Sequence, residues 1–267
     1  MSTQTRVVGA LLAVVVATGL AVVAYGGGNV AVLVAALLLQ LGGVELTLPR
    51  LFILSVVGIQ LVFFVGVSVA YLHYRDMSLA DIGVTKPSLE GWIAVGAGFI
   101  GILVLWFAAS IASFFIATRF GIEQPQQDII EMGQQDPTIF LLLGVLSILI
   151  VGPAEELLFR GVIQTRLRET FGVVTALTLA TALFALIHLP GFSGNLTAGM
   201  LGISVLFLIG LVLAVSYEYT GNLLVPAIIH GLFNATQAAL GYFSVRFGDP
   251  DMMAATAETV AVVLTVI

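Results

Sequence analysis

The sequence predicts an all-α protein, a polytopic transmembrane helical bundle of about seven to nine membrane helices. Hydrophobic residues make up 60% of the chain and charged residues 9%, whereas roughly a quarter of the residues of a soluble domain are charged. The apolar residues form long runs, and a run of about 20 residues is what a helix needs to cross the hydrocarbon core. None of the runs alternates between apolar and polar residues, as the strands of a membrane β-barrel do.

Seven apolar runs predict the spans of a multi-pass protein of the cell membrane. Two further runs, Val30–Leu41 and Met252–Ile267, are short, and either is compatible with a position at the membrane interface. The longest polar stretch, Thr118–Pro137, contains two prolines and predicts an interfacial connection. The predicted spans are Val7–Tyr25, Leu51–Tyr74, Trp92–Ala117, Ile139–Phe159, Val173–Leu189, Leu196–Tyr217 and Leu223–Phe243.

The composition also excludes several functions. The chain has no cysteine, which rules out disulfides, thiolate metal sites and a cysteine nucleophile. Its net charge of −6 disfavours nucleic-acid binding, because phosphate contacts require a basic surface. The partner that the composition predicts is the lipid bilayer, and it gives no indication of the oligomeric state.

Charged residues cluster inside the predicted spans. The span that begins at Ile139 runs into Glu155, Glu156 and Arg160, while His188 and His230 belong to two later spans. A charged group in a membrane span costs at least about 2.5 kcal/mol on insertion scales, so such residues are usually functional. We therefore expect a functional site in the C-terminal half of the chain.

The spacing predicts that these residues lie at a common depth. Glu155 lies about 17 residues before Gly172, which is the best turn signal in this region, and His188 lies about 16 residues after it. At a rise of 1.5 Å per residue, both are about 24 Å from the tip of a helical hairpin. A second turn at Thr220–Asn222 returns the chain, with His230 about 12 Å from the start of its span.

Helical periodicity separates the two glutamates. Glu156 and Arg160 are four residues apart and share a face, which predicts an ion pair between them. Glu155 points about 100° away from Glu156 and has no partner at helical spacing. A lone buried carboxylate suits a general base, so we predict that Glu155 faces a cavity. Pro153 lacks a backbone donor and is expected to disturb the helix just before the pair.

The same periodicity groups the remaining polar residues. Phe184 and His188 share one helix face, and so do His230 and Asn234. Either histidine alone would more often be a packed side chain, but the common depth with Glu155 indicates a shared site. Asn234, one turn after His230, is placed to be an oxyanion donor.

Taken in chain order, these residues form three motifs, Glu-Glu-x-x-x-Arg, Phe-x-x-x-His and His-x-x-x-Asn. The set resembles the CPBP family of intramembrane proteases, which includes the CAAX prenyl endopeptidases and the bacteriocin-processing or self-immunity proteins. The resemblance spans about Leu142–Tyr242, and all three motifs match fully. The N-terminal half matches only as hydrophobic helices.

The resemblance implies a peptidase in which Glu155 and His188 activate a water molecule, while His230 and Asn234 stabilise the oxyanion. It gives Glu156, Arg160 and Phe184 supporting roles. The implied substrate is a peptide or lipidated protein, either a prenylated CAAX-type C-terminus or a bacteriocin-like or membrane-anchored peptide. The sequence itself does not choose between these substrates.

The resemblance is compatible with chemistry that needs no metal and with zinc chemistry. Glu155, His188 and His230 would supply the His₂Glu set of a catalytic zinc site. No His-Glu-x-x-His motif supports this alternative independently, and we slightly favour the metal-independent form.

The chain has no internal repeat and no separate soluble region, so we predict one membrane domain over residues 1–267. Its N-terminal membrane helices would occupy residues 1–91. The helical core that resembles the CPBP family, with a conical catalytic cavity, would occupy residues 92–245, and a C-terminal apolar segment residues 246–267.

Two other functions compete with this prediction. Gly191-Phe192-Ser193-Gly194 fits a rhomboid-like serine protease motif, in which Ser193 and His230 would form a dyad. That alternative leaves the cluster of Glu155, Glu156 and Arg160 unexplained. The other competitor is a non-catalytic transporter, immunity or scaffold protein, since transporters also carry carboxylates and histidines in their spans. The broken helices and repeated halves of many transporters are not found.

Overall fold

The structure, a computed structural model, describes residues 3–248, which form eight helices and a small antiparallel sheet of two strands. The strands are β1 (Gln126–Gln127) and β2 (Phe192–Ser193), and a 3₁₀ turn over Leu189–Gly191 leads into β2. The helices are α1 (Thr3–Leu41), α2 (Leu48–Tyr74), α3 (Leu89–Phe120), α4 (Asp128–Gln135), α5 (Thr138–Arg168), α6 (Val173–Leu186), α7 (Leu196–Thr220) and α8 (Leu224–Phe247).

The predicted all-α membrane fold is confirmed. Within residues 3–248, six helices are long and apolar enough to cross a membrane, namely α1, α2, α3, α5, α6 with the turn that follows it, and α7. The seventh predicted span forms α8, which has 24 residues. It is not among the six, because polar side chains such as His230 and Asn234 lower its hydropathy.

The two N-terminal apolar runs, Val7–Tyr25 and Val30–Leu41, are one continuous helix, α1. Val30–Leu41 is therefore not a separate segment. The glycines between the runs remain helical because backbone groups in lipid must bond within the helix. They serve packing instead, since a Cβ atom on Gly27 would clash with the ring of Phe63 on α2. The other doubtful run, Met252–Ile267, lies outside the described residues.

Local signals fix the ends of the long helices. Ser88 caps α3 by accepting a hydrogen bond from the backbone N–H of Gly91 at 3.1 Å. Asn195 caps α7 in the same way, as short polar side chains do at helix N-termini. Gly121 and Gly221 end α3 and α7 with left-handed φ angles of 64° and 58°, a conformation that glycine adopts without strain.

Two large apolar clusters form most of the core of residues 3–248, and side chains from both line the cavity that holds the site. One cluster joins α3, α7 and α8, and includes Trp106 and Phe233, whose rings meet edge to face. The other joins α1, α2, α5 and α6, and includes Phe159 and Phe184. The N-terminal helices α1 and α2 thus pack directly against the helices that carry the predicted motifs.

Helices α5 and α8 approach each other through two glycines, Gly152 and Gly231. A Cβ atom on Gly231 would lie 2.8 Å from the Cα atom of Ile148 and 3.0 Å from the backbone oxygen of Ser147. Backbone atoms cannot move aside as a flexible side chain can. The small residues therefore hold His230 against the glutamates of α5, as small residues do between membrane helices.

We expect Gly231→Ala to destabilise the protein by about 1–3 kcal/mol, the usual cost of overpacking. The added methyl group would force α5 and α8 apart. Thermal unfolding in detergent measures the change, with Gly101→Ala as the control, because a Cβ atom on Gly101 meets nothing within 4 Å. Equal unfolding temperatures for the two variants would contradict the close approach.

Candidate active site

The glutamates of α5 lie in a short α-helical stretch between two π-helical segments. Gly152–Glu156 is α-helical, Ser147–Val151 precedes it as a π-helix, and Leu157–Gln164 follows it as another. The helix thus departs from regular α geometry just before Pro153, as the sequence predicts. Wide turns of this kind occur frequently at functional sites.

Glu155 faces two histidines from later helices. Its side chain is 6% exposed, and its Oε2 atom lies 3.8 Å from His188 Nε2 and 3.9 Å from His230 Nε2. Its other oxygen, Oε1, accepts a hydrogen bond of 2.8 Å from Gln60 Nε2. The Oε2 atom is buried and has no hydrogen-bond partner within residues 3–248. The predicted common depth of Glu155, His188 and His230 is therefore confirmed.

Both imidazole rings are oriented by their Nδ1 atoms. His188 Nδ1 lies 2.7 Å from the backbone oxygen of Phe184, which only accepts hydrogen bonds, so Nδ1 carries the proton and Nε2 of the neutral ring is an acceptor. His230 Nδ1 lies 3.0 Å from Glu156 Oε1. In each ring the Nε2 atom is left to face Glu155, an arrangement typical of histidines with a fixed chemical role.

Phe184 packs against both imidazoles. Its ring centre lies 4.9 Å from that of His188 and 5.8 Å from that of His230. The guanidinium of Arg160 lies over the Phe184 ring, 5.1 Å from its centre. The Phe184 ring therefore lies against both histidines and the arginine, and its supporting role stays a prediction.

The predicted ion pair between Glu156 and Arg160 is present and fully buried. Arg160 Nε donates to Glu156 Oε2 at 3.0 Å, and both side chains are 0% exposed. Arg160 also donates from Nη2 to the backbone oxygen of Gly210 on α7. The link from Glu156 to His230 was not predicted, although both residues were expected near the same depth. Glu156 therefore orients a histidine of the site as well as balancing the charge of Arg160.

Glu155, His188, His230 and Asn234 line one cavity of about 280 Å³. Asn234 is half-buried, one helical turn after His230, and its amide makes no hydrogen bond within the described residues. All four residues predicted to be catalytic therefore border the same space.

Two glutamines are among the wall residues that the sequence did not predict. Gln60 comes from α2, and the signal for it was an amide within an otherwise apolar span. Gln127 comes from the stretch Thr118–Pro137, which folds into β1 and α4 instead of a simple connection. Because β1 pairs with β2, Gln127 is fixed opposite Phe192 at the edge of the cavity.

Ser193 does not form the dyad of the serine-protease alternative. It lies on β2, and its hydroxyl donates a hydrogen bond of 3.1 Å to the backbone oxygen of Gln126. Within residues 3–248 it makes no hydrogen bond with His230, whose ring nitrogens face Glu155 and Glu156. The glycine-rich motif therefore forms β2 and the glycines that flank it.

The three donors proposed for zinc are spaced slightly wider than the ligands of a tetrahedral zinc site. Zinc ligands at about 2.0–2.1 Å in a tetrahedral site lie roughly 3.3 Å from one another. The Oε2 atom of Glu155 lies farther than this from both Nε2 atoms, at 3.8 and 3.9 Å. Within residues 3–248, no group of three histidine, aspartate or glutamate side chains is arranged to hold a metal ion. Zinc dependence stays the less favoured of the two alternatives.

Comparison with known proteins adds independent findings. Residues 137–236 match the family described as type II CAAX prenyl endopeptidase Rce1-like. The chain is also 31% identical over 141 residues to the uncharacterized protein YpbD of Bacillus subtilis (strain 168), an alignment that covers 51% of this chain and 67% of that protein. No solved structure gives a significant match. The matched residues include all three motifs and the whole of α6 and α7.

Proposed function

Because the chain belongs to the type II CAAX prenyl endopeptidase Rce1-like family, a family of peptidases, we propose that it is an intramembrane endopeptidase. It would hydrolyse a peptide bond near the membrane surface with water activated by Glu155 and His188. One observation carries the proposal: a buried carboxylate oxygen without a hydrogen-bond partner faces the Nε2 atoms of two histidines across a cavity.

The spacing suits activation of one water molecule. Glu155 Oε2 and His188 Nε2 are both acceptors 3.8 Å apart, so a water between them can donate a hydrogen to each and turn a lone pair to the cavity. As its oxygen attacks the substrate carbonyl carbon, one proton passes to Glu155. That proton then passes to the nitrogen of the leaving amine as the carbon–nitrogen bond breaks. The products are a carboxylic acid and an amine.

His230 and Asn234 would stabilise the tetrahedral intermediate. They lie one turn apart on α8 and border the cavity. The Asn234 side-chain amide supplies one N–H donor, and a His230 ring with protons on both nitrogens supplies the other from Nε2. Loss of one oxyanion donor commonly costs about 10²–10³ in kcat. Glu156 holds the His230 ring in place from the opposite side.

The substrate that we propose is a prenylated CAAX-type C-terminus. The cavity wall is mostly apolar, and an apolar wall with a few polar groups suits a lipidated peptide. Its main apolar side chains are those of Phe52, Val56, Ile59, Leu143, Phe184 and Phe233. The polar groups concentrate at Glu155 and the two histidines, where the peptide bond would bind.

The proposal is tested with purified protein in detergent, a farnesylated CAAX peptide and mass spectrometry. We expect two fragments whose masses sum to that of the peptide plus one water. The same peptide without its farnesyl group is the control for the substrate class. The reaction is repeated with a chelator and then with added zinc. Activity that survives chelation supports the metal-independent chemistry, while loss that zinc reverses would establish a metal requirement.

We further expect Ser193→Ala to keep kcat/KM within about twofold of the wild-type value, since substitutions away from a site have small effects. The Ser193 hydroxyl donates its hydrogen bond to the backbone oxygen of Gln126 and takes no part in the proposed activation of water. The assay is the cleavage of the same farnesylated peptide. A loss of about a thousandfold or more, as removal of a nucleophile produces, would restore the serine mechanism.

A further inference from the structure

Gln60 reaches the active site from a part of the chain that lies outside the matched family region. It belongs to α2, within the π-helical segment Val56–Val65, and residues 137–236 contain the matched motifs. Gln60 and Glu155 are 95 positions apart in the sequence. Gln60 also lines the cavity beside Glu155, His188 and His230.

The direction of the hydrogen bond between Gln60 and Glu155 is fixed, with Gln60 as the donor. An ionised carboxylate only accepts hydrogen bonds, so the amide nitrogen of Gln60 must face Glu155 Oε1, at 2.8 Å. This contact assigns the two carboxylate oxygens to different environments. Oε1 is held by the amide, while Oε2 has no hydrogen-bond partner in the described part of the chain and faces both Nε2 atoms.

No other hydrogen bond within residues 3–248 holds the Glu155 carboxylate. Its neighbour Glu156 is fixed by two groups, Arg160 and His230. Glu155 has the amide of Gln60 alone, and a hydrogen bond to a charged group is among the stronger ones. Without that donor the carboxylate could rotate about its terminal bond and move Oε2 from its position between the histidines.

We propose that Gln60 is a positioning residue that holds Glu155 in its reactive orientation, so that the N-terminal helices complete the active site. The inference rests on the proposed function, because it assigns Glu155 the transfer of the water proton. Helix α2 would then contribute to the reaction by holding the Glu155 carboxylate in place. The resemblance to the family, which covers the N-terminal half only as hydrophobic helices, supplies no such residue.

The test is Gln60→Met, which keeps the length of the side chain and removes the N–H donor. We expect kcat for the farnesylated peptide to fall by about 10- to 100-fold, since a reacting group misplaced by about 1 Å can cost that much. KM should change by less than about threefold, because the variant affects proton transfer more than binding. Gln60→Asn, with an amide too short to keep the contact, should lower kcat in the same way.

The control is Gln237→Met, the same substitution at a fully buried glutamine of α8 whose amide makes no hydrogen bond within residues 3–248. It should keep kcat, and both Met variants should unfold at similar temperatures. A kcat for Gln60→Met within threefold of wild type would overturn the inference and leave the proposed function standing. So would a kcat loss matched by Gln237→Met or explained by unfolding. A wild-type protein that cleaves no peptide would overturn both.

Discussion

Glu155→Gln is expected to lower kcat by about 10²–10⁴, the range that general acid–base catalysis contributes. The substitution keeps the size and shape of the side chain, and its amide oxygen can still accept the hydrogen bond from Gln60. The amide cannot take a proton from water, however, so the attacking oxygen is no longer activated. The measurement is the rate of fragment formation from the farnesylated peptide, under conditions where the enzyme is saturated.

The matched control for this variant is Glu169→Gln. Glu169 is an exposed glutamate that pairs with Arg75 and Arg166 near the hairpin between α5 and α6, and it should keep wild-type kcat. Both variants should unfold at temperatures close to that of the wild type. A Glu155→Gln protein that is folded and cleaves at more than a tenth of the wild-type rate would remove Glu155 from the chemistry.

Arg160→Met is expected to destabilise the protein by about 3–5 kcal/mol, the usual cost of removing one partner from a buried ion pair. The Glu156 charge would lose its hydrogen bond from Arg160 Nε, in a place where both side chains are 0% exposed. His230 would be its remaining partner. Thermal or denaturant unfolding in a defined detergent measures the change.

Two controls distinguish the loss of the buried ion pair from the effect of replacing any arginine by methionine. The double variant Glu156→Gln/Arg160→Met removes both charges and should recover much of the lost stability, because an uncompensated buried charge causes most of the cost. Arg75→Met removes an arginine from a partly exposed pair with Glu169 and should cost at most about 1 kcal/mol. Equal losses for Arg160→Met and Arg75→Met would contradict the account of the buried pair.

The sequence was sufficient to predict that the residues of the three motifs meet at one site. A single turn signal at Gly172 placed Glu155 and His188 at nearly equal numbers of residues from the hairpin tip. The rise per residue of an α-helix converted these numbers into a common depth. Periodicity then separated Glu155 from Glu156 and paired Glu156 with Arg160 correctly. Spacing predicts depth in a membrane bundle because all its helices cross a bilayer of the same thickness.

Contacts that depend on which helices pack together were not predictable from the sequence. Gln60 is 95 residues from Glu155, and nothing in its span indicates which neighbour it faces. The contact between His230 and Glu156 was missed for the same reason, since depth does not fix the rotation of α8. The merging of Val30–Leu41 into α1 was missed because glycines, which interrupt helices in water, pack between helices in lipid.

Residues of Thr118–Pro137 form one edge of the cavity. The composition of this stretch did not predict that position. The prolines and polar residues of this stretch indicate a loop, and β1 is only two residues long. β1 follows α3 and β2 precedes α7, and because these two helices pack against each other, the two short segments come side by side. The sequence contains no pattern of alternation long enough to signal such a short sheet.

The most direct test of the account is a time course of one farnesylated CAAX peptide with the purified wild-type protein in lipid vesicles, followed by intact-mass spectrometry. The account predicts that the peptide is replaced by two fragments whose masses sum to its own mass plus one water, and that Glu155→Gln vesicles leave it intact. A peptide that stays intact with folded wild-type protein, or that is cleaved equally by Glu155→Gln, would contradict the account.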